Sequence, residues 1–180
     1  KYYKYCIKLG FKDPIIFSNY GIILKNLNRL KEAEISYRKA IQVDSNFADA
    51  HSNLGNMLRE QGKLQEAEIC ARKAIAINSN FAEAHNNLGI ALQEVGDLNG
   101  AINAYKHAIK TNPKDSDYFF NLGSVFQKKD DLYHAIDAYQ NSLSINPNNQ
   151  EAYFNLGIIY QKKGDLFNAI DAYRNALLII

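Results

Sequence analysis

AEAHNNLGIALQEVGDLNGAINAYKHAIKTNPKD, residues Ala82–Asp115, returns along the whole chain at intervals of 34 residues. A glycine preceded by Leu or Tyr falls at Gly21, Gly55, Gly89, Gly123 and Gly157, and a small residue falls at Ala33, Ala67, Ala101, Ala135 and Ala169. No copy gains or loses a residue between these markers. A fixed period of this length points to stacked supersecondary units, each covering its neighbour, rather than to one globular core.

Within each copy, apolar residues recur at helical spacing on both sides of a short break. In the fourth copy, Phe119, Leu122, Val125 and Phe126 form one stripe, and Ala135, Ile136, Tyr139 and Leu143 form the other. The spacing predicts two helices in a hairpin. Gly62, Gly96 and Gly164 stand just past the first helix, where a left-handed residue ends it without a Cβ penalty, and Asn28 and Asp130 take that place in the other copies. Asp97, Asp131 and Asp165 are placed to cap the second helix. Pro113 and Pro147, or Ser45 and Ser79, mark where it ends. Asp13-Pro14 reads as a capping Asp before a proline suited to the first helical turn. A glycine inside a helix costs about 1 kcal/mol against Ala, so Gly55 and its equivalents imply helices in close approach.

Asn87-Leu88-Gly89, followed by Ala101, Tyr105, Ala108 and Pro113, resembles the tetratricopeptide repeat. That resemblance implies an all-α, right-handed superhelical solenoid of antiparallel helix pairs whose first helices line a concave face. The expected units are 14–47, 48–81, 82–115, 116–149 and a shortened 150–180. Residues 1–13 match only the second half of a unit, with Tyr3 in the place of Tyr105 and Cys6 in that of Ala108, so a helix is expected from Lys1 to about Gly10. The chain therefore reads as a piece of a longer array.

Three rows on the first helices are the candidate peptide-binding residues. Asn19, Asn53, Asn87, Asn121 and Asn155 each lie two residues before the glycine. Asn is a mediocre helix former, and its carboxamide offers both a donor and an acceptor to a peptide backbone. One turn earlier on the same face come Asp49, Glu83, Asp117 and Glu151, with Ile15 breaking the row. This combination resembles the repeat domain of O-linked N-acetylglucosamine transferases, where an Asn ladder holds peptide backbone and nearby acids touch its side chains. The same residues also admit a structural reading, with Asn bonding between stacked helices and acids complementing the helix dipole. In the third row Ser18, Ser52 and Asn86 give way to Phe120 and Phe154, either ligand anchors or extra core.

A net charge of +2 gives no field suited to nucleic acid or an anionic membrane. No apolar run reaches the ~20 residues of a membrane span. Cys6 and Cys70 read as small core residues, which favours a reducing, cytoplasmic location. His51, His85, His107 and His134 lack the spacing of a metal helix and read as surface or interhelix residues. No phosphate loop or nucleophile motif is present. No cofactor and no catalytic residue is expected. Acids where a chaperone-tail clamp would need Lys argue against such a ligand. Lys25, Arg59, Lys128 and Lys162 read as solvated side chains near helix ends. The function expected is a scaffold that binds an extended peptide or partner protein; the alternatives are the substrate-recognition arm of a larger glycosyl- or sulfotransferase, and a structural array that associates end to end through apolar terminal helices such as Leu177–Ile180.

Overall fold

The structure is a computed structural model describing Tyr5, Leu9, Gly10 and residues 12–179. Ten α-helices and no strand occur among these residues: α1 Pro14–Asn26, α2 Leu30–Val43, α3 Ala48–Glu60, α4 Leu64–Ile77, α5 Ala82–Val95, α6 Leu98–Thr111, α7 Ser116–Lys128, α8 Leu132–Ile145, α9 Gln150–Lys162 and α10 Leu166–Leu178. The chain is an all-α array of helix pairs, as the period requires. It divides into two compact units, Lys1–Val95 and Gly96–Ile180. In the first, α1 pairs with α2 and α3 with α4, while α2 packs on α3 and α4 on α5. In the second, α7 pairs with α8 and α9 with α10, and α6 packs on α7 and α8 on α9. The expected helix from Lys1 to about Gly10, with Cys6, lies largely outside the described residues.

The hairpin turns follow from their residues. Asp130 sits at φ 61° and Gly62 at φ 76°, and the next residue donates back into the helix: Asp131 N to Phe126 O and Lys63 N to Leu58 O, both at 2.9 Å. This closes the orphan carbonyls left at a helix C-terminus. Asp97, Asp131 and Asp165 then accept from the backbone N–H groups of Gly100, His134 and Asn168, as expected of N-caps. Hydrogen bonds from the Asn168 side chain and backbone hold the Asp165 carboxyl below its ordinary range. Arg29 and Lys63 occupy the same place without a capping side chain; Arg29 instead forks onto Glu32 at 2.6 and 2.7 Å.

A second set of caps was legible but unread. Asp44, Asn78, Asn112 and Asn146 follow the second helices, and their Oδ1 atoms accept from the N–H two residues on at 2.9, 3.1, 3.3 and 3.1 Å. These Asx turns, one residue before the Ser and Pro positions, are what turns the chain toward the next helix.

The internal glycines admit a tyrosine. A Cβ on Gly21 would lie 2.6 Å from the Tyr37 ring, and one on Gly123 2.8 Å from Tyr139. Tyr37 and Tyr139 are buried, and the Tyr139 hydroxyl donates to Gln127 Oε1 at 2.8 Å. Burial pushes the Tyr37 phenol up to about 12, with Glu60 adding to the effect. In the first unit the core runs from Leu24 and Tyr37 through Leu54, Met57 and Leu58 to Ala67.

Candidate functional site

The first helices carry the three rows because a period of 34 repeats a helical position nearly in register from one unit to the next. Their small residues are buried: Ala50, Ala84 and Ala152 against neighbouring helices, Gly55 and Gly123 against second helices. What remains on the other side of each helix is the candidate site.

The acid row is exposed at all four positions, Asp49, Glu83, Asp117 and Glu151, and Ile15 is exposed too. No ion pair reaches Asp49, Asp117 or Glu151 among the described residues, whereas Glu32, Glu34, Glu60, Glu66, Glu68 and Glu94 are all paired with Lys or Arg. Asp117 has only the Ser116 hydroxyl, at 3.5 Å. The carboxylates of this row thus stand exposed and outside the ion pairs that tie those glutamates.

The Asn row is less open. Asn53 Nδ2 donates to Ser18 Oγ at 3.3 Å, and Asn87 Nδ2 donates to Ser52 Oγ at 3.0 Å, in each case from one first helix to the preceding one. Asn87 is 7% exposed, Ser18 2% and Ser52 1%. Asn19, Asn53, Asn121 and Asn155 are half-buried. Burial raises the Tyr139 phenol pKa, and the Ser124 and Asn155 side chains oppose that rise.

The serine positions are therefore not part of a polar surface, as their alignment with Phe120 and Phe154 had implied; they lie beneath the next first helix as acceptors for its Asn. Where the third row turns aromatic, the surface changes. Phe120 is half-buried, tilted against Tyr139 with ring centroids 5.6 Å apart. Phe154 lies 5.8 Å from Tyr173 and stays 53% exposed.

Two basic residues expected to be solvated are instead cross-helix ties. Lys25 pairs with Glu60 at 2.8 Å and Arg59 with Glu94 at 3.0 Å, each reaching the next first helix, and Lys162 pairs with Asp130. The histidines divide similarly. His51 and His85 are buried, and each Nε2 bonds a loop carbonyl, Ser45 O and Ser79 O, at 3.0 Å. The carbonyl must accept, so Nε2 carries the proton. Cys70 is half-buried, and burial raises its thiol pKa, which keeps it from being a reactive thiolate. Among the described residues no helix is long and apolar enough to cross a membrane.

Family profiles described as TPR repeat match residues 21–62, 55–96, 94–130 and 131–164, and one described as tetratricopeptide repeat matches 150–179. Among solved structures, MamA is 27% identical with a TM-score of 0.80, covering 87% of this chain and 92% of its own. YrrB, described as a TPR protein with an unusual peptide-binding site, is 23% identical with a TM-score of 0.77, covering 99% and 92%. PilF of Pseudomonas aeruginosa is 24% identical with a TM-score of 0.86, covering 92% and 75%. These likenesses establish the fold. No curated protein matches the chain.

Proposed function

The chain belongs to the tetratricopeptide repeat family, and from that premise we propose that it is a non-catalytic scaffold holding an extended peptide or partner segment along its first helices. The observation that carries this reading is the row of exposed carboxylates at Asp49, Asp117 and Glu151, which recur in register on the first helices and which no ion pair reaches among the described residues. Glu83 extends the row. An unpaired charge on an ordered helix is available to a ligand at no cost in broken contacts.

The Asn residues act beside it with divided roles. Asn53 commits one amide N–H to Ser18, which leaves a carbonyl oxygen and a second N–H for a peptide unit. Asn87 is buried enough to serve the stack first. In the second unit Asn121 and Asn155 flank Phe120 and Phe154, so this unit offers polar and apolar contacts together. The peptide-binding class in YrrB's description is consistent with such a surface.

A binding screen of the whole chain against a peptide library tests the reading. The Asp117→Asn, Glu151→Gln double variant changes only exposed groups and keeps their size. Loss of binding with an unchanged melting curve supports the row as the ligand face; binding equal to that of the parent chain rejects it.

A second reading, self-association through the last helix, is favoured by one observation. Leu166, Phe167, Ile170 and Leu177 on α10 are all exposed. Sedimentation over a range of concentrations decides it, a concentration-independent monomer being the refuting result.

A further inference from the structure

A cleft of about 260 Å³ opens among α8, α9 and α10, lined by none of the residues of the three rows. Its floor is apolar, made by Leu143, Leu156 and Ala172, and the rings of Tyr153 and Tyr160 line it as well. Around these stand Gln140, Asn168, Asp171 and Asn175.

Each of the three amides at the cleft commits one N–H to the protein. Gln140 Nε2 donates to the Tyr160 hydroxyl oxygen at 3.2 Å, Asn168 Nδ2 to Asp165 Oδ2 at 2.7 Å, and Asn175 Nδ2 to Asp171 Oδ2 at 3.4 Å. Among the described residues, each amide keeps a carbonyl oxygen with no hydrogen bond of its own, and Asp171 adds a carboxylate that no ion pair reaches, its one partner being the long contact from Asn175. The cleft is therefore rich in acceptors, holds one negative charge, and has apolar and aromatic surface beneath.

The same register position in the first hairpin, 136 residues earlier by four periods of 34, has a pocket of about 180 Å³ with different chemistry. There Ile35 stands in the place of Asp171 and Lys39 in that of Asn175. That pocket carries a cation, Lys39, and its carboxylate, Glu32, stands in the place of Asn168 rather than of Asp171. The columns change steadily along the chain: Ile35, Ile69, Asn103, Asp137, Asp171 in one, and Lys39, Lys73, His107, Asn141, Asn175 in the other. In these two columns the groove carries Ile and Lys in its first copy and an Asp–Asn pair in its last two, Asp137 with Asn141 and Asp171 with Asn175.

We propose that this cleft receives an arginine side chain of a partner protein. Arginine presents five donors in a planar fork and no acceptor, which matches a carboxylate with several carbonyl oxygens. Its three-carbon stem packs on apolar floor while the head stays at the rim, and the tyrosine faces attract a guanidinium. An anion meets the Asp171 carboxylate here, and a purely apolar group would leave the acceptors unmatched.

The test is an amide-detected NMR titration of the whole chain with N-acetyl-arginine amide and, separately, with N-acetyl-citrulline amide, which is neutral and nearly the same shape. Saturable shifts at Gln140, Asn168, Asp171 and Asn175 with the arginine compound are expected, at a Kd of the order of millimolar. The equivalent positions in α2 should stay still. Asp171→Asn, a change at an exposed site that leaves the fold intact, should weaken binding roughly tenfold, as loss of a charge-assisted contact does. Equal shifts from citrulline, no saturation below about 50 mM, or undiminished binding by the Asp171→Asn chain would each overturn the assignment.

Discussion

Replacing Asn87 by Ala separates the two duties of the Asn row. In the structure Asn87 Nδ2 reaches Ser52 Oγ at 3.0 Å, with the residues 7% and 1% exposed. Truncation strands the Ser52 hydroxyl in a buried site, which costs about 1–3 kcal/mol. Ala gains at most about 0.7 kcal/mol over Asn in helix propensity, so the net loss should be about 0.5–2 kcal/mol. Adding Ser52→Ala removes the orphan, and the double variant should be more stable than Asn87→Ala alone, with a coupling of about 1–2 kcal/mol. Asn53→Ala should cost less, because its bond to Ser18 is 3.3 Å and its side chain is half-buried. Repeat arrays can unfold in parts, so urea melts by far-UV circular dichroism should be joined by hydrogen exchange of α3 and α5 amides. The reasoning fails if Asn87→Ala melts like the parent chain with unchanged exchange, for the bond would then contribute nothing to holding those two helices together.

Ser142 is fully buried and its Oγ has no hydrogen-bond partner among the described residues, while the other four copies from residue 14 onward have Ala in its place, at Ala40, Ala74, Ala108 and Ala176. Ser142→Ala should therefore stabilise the chain by about 1–2 kcal/mol, read as a higher urea midpoint with the same slope. Gly123→Ala meets the Tyr139 ring at 2.8 Å, and overpacking of about 1–3 kcal/mol should outweigh a propensity gain of about 1 kcal/mol and lower the melting temperature. Gly55→Ala, whose nearest side-chain atom is Cys70 Cβ at 3.1 Å, should be the milder of the two. Tyr37 titrates near 12 when folded against an ordinary 10.0, so its burial stabilises the fold fully below pH 10 and the contribution disappears as pH rises through 12. Absorbance titration of tyrosinate should show a late phase that coincides with loss of helicity; a phase at pH 10 covering every tyrosine in the folded chain would contradict this burial.

The helix pairs were legible because a period of 34 repeats both hydrophobic stripes and the turn residues at Asn28, Gly62, Gly96, Asp130 and Gly164, each of which adopts positive φ. The caps at Asp97, Asp131 and Asp165 were legible for the same local reason. The Asx column at Asp44, Asn78, Asn112 and Asn146 carries an equally plain signal beside the Ser and Pro that follow it. What local pattern could not give was the partner of a side chain one unit away. Asn53–Ser18, Asn87–Ser52, Lys25–Glu60 and Arg59–Glu94 all span 35 residues, one period plus one position. Each depends on how neighbouring first helices are set against one another, a packing property that no single unit contains.

That offset explains why one column of Asn does different work in the two units. Moving back 35 residues from Asn53 and Asn87 reaches Ser18 and Ser52, small hydroxyls that accept a hydrogen bond in a buried space. The same step from Asn155 reaches Phe120, which has no acceptor and whose ring lies against Tyr139. Asn155 instead opposes the rise that burial causes in the Tyr139 pKa. Placing Phe120 where the first unit has serine therefore changes two things at once: it removes the acceptor that would draw Asn155 into the stack, and it puts an aromatic ring on the first-helix face, a change that Phe154 repeats. Both changes raise what the first helices of the second unit can offer a ligand, next to the unpaired carboxylates of Asp117 and Glu151. If the family's peptide-holding role operates in this chain, side-chain selectivity should reside in α7 and α9. Substitutions at Phe120 and Phe154 should then change which peptides bind, whereas substitutions at Ser18 and Ser52 should change only how firmly the first unit holds together.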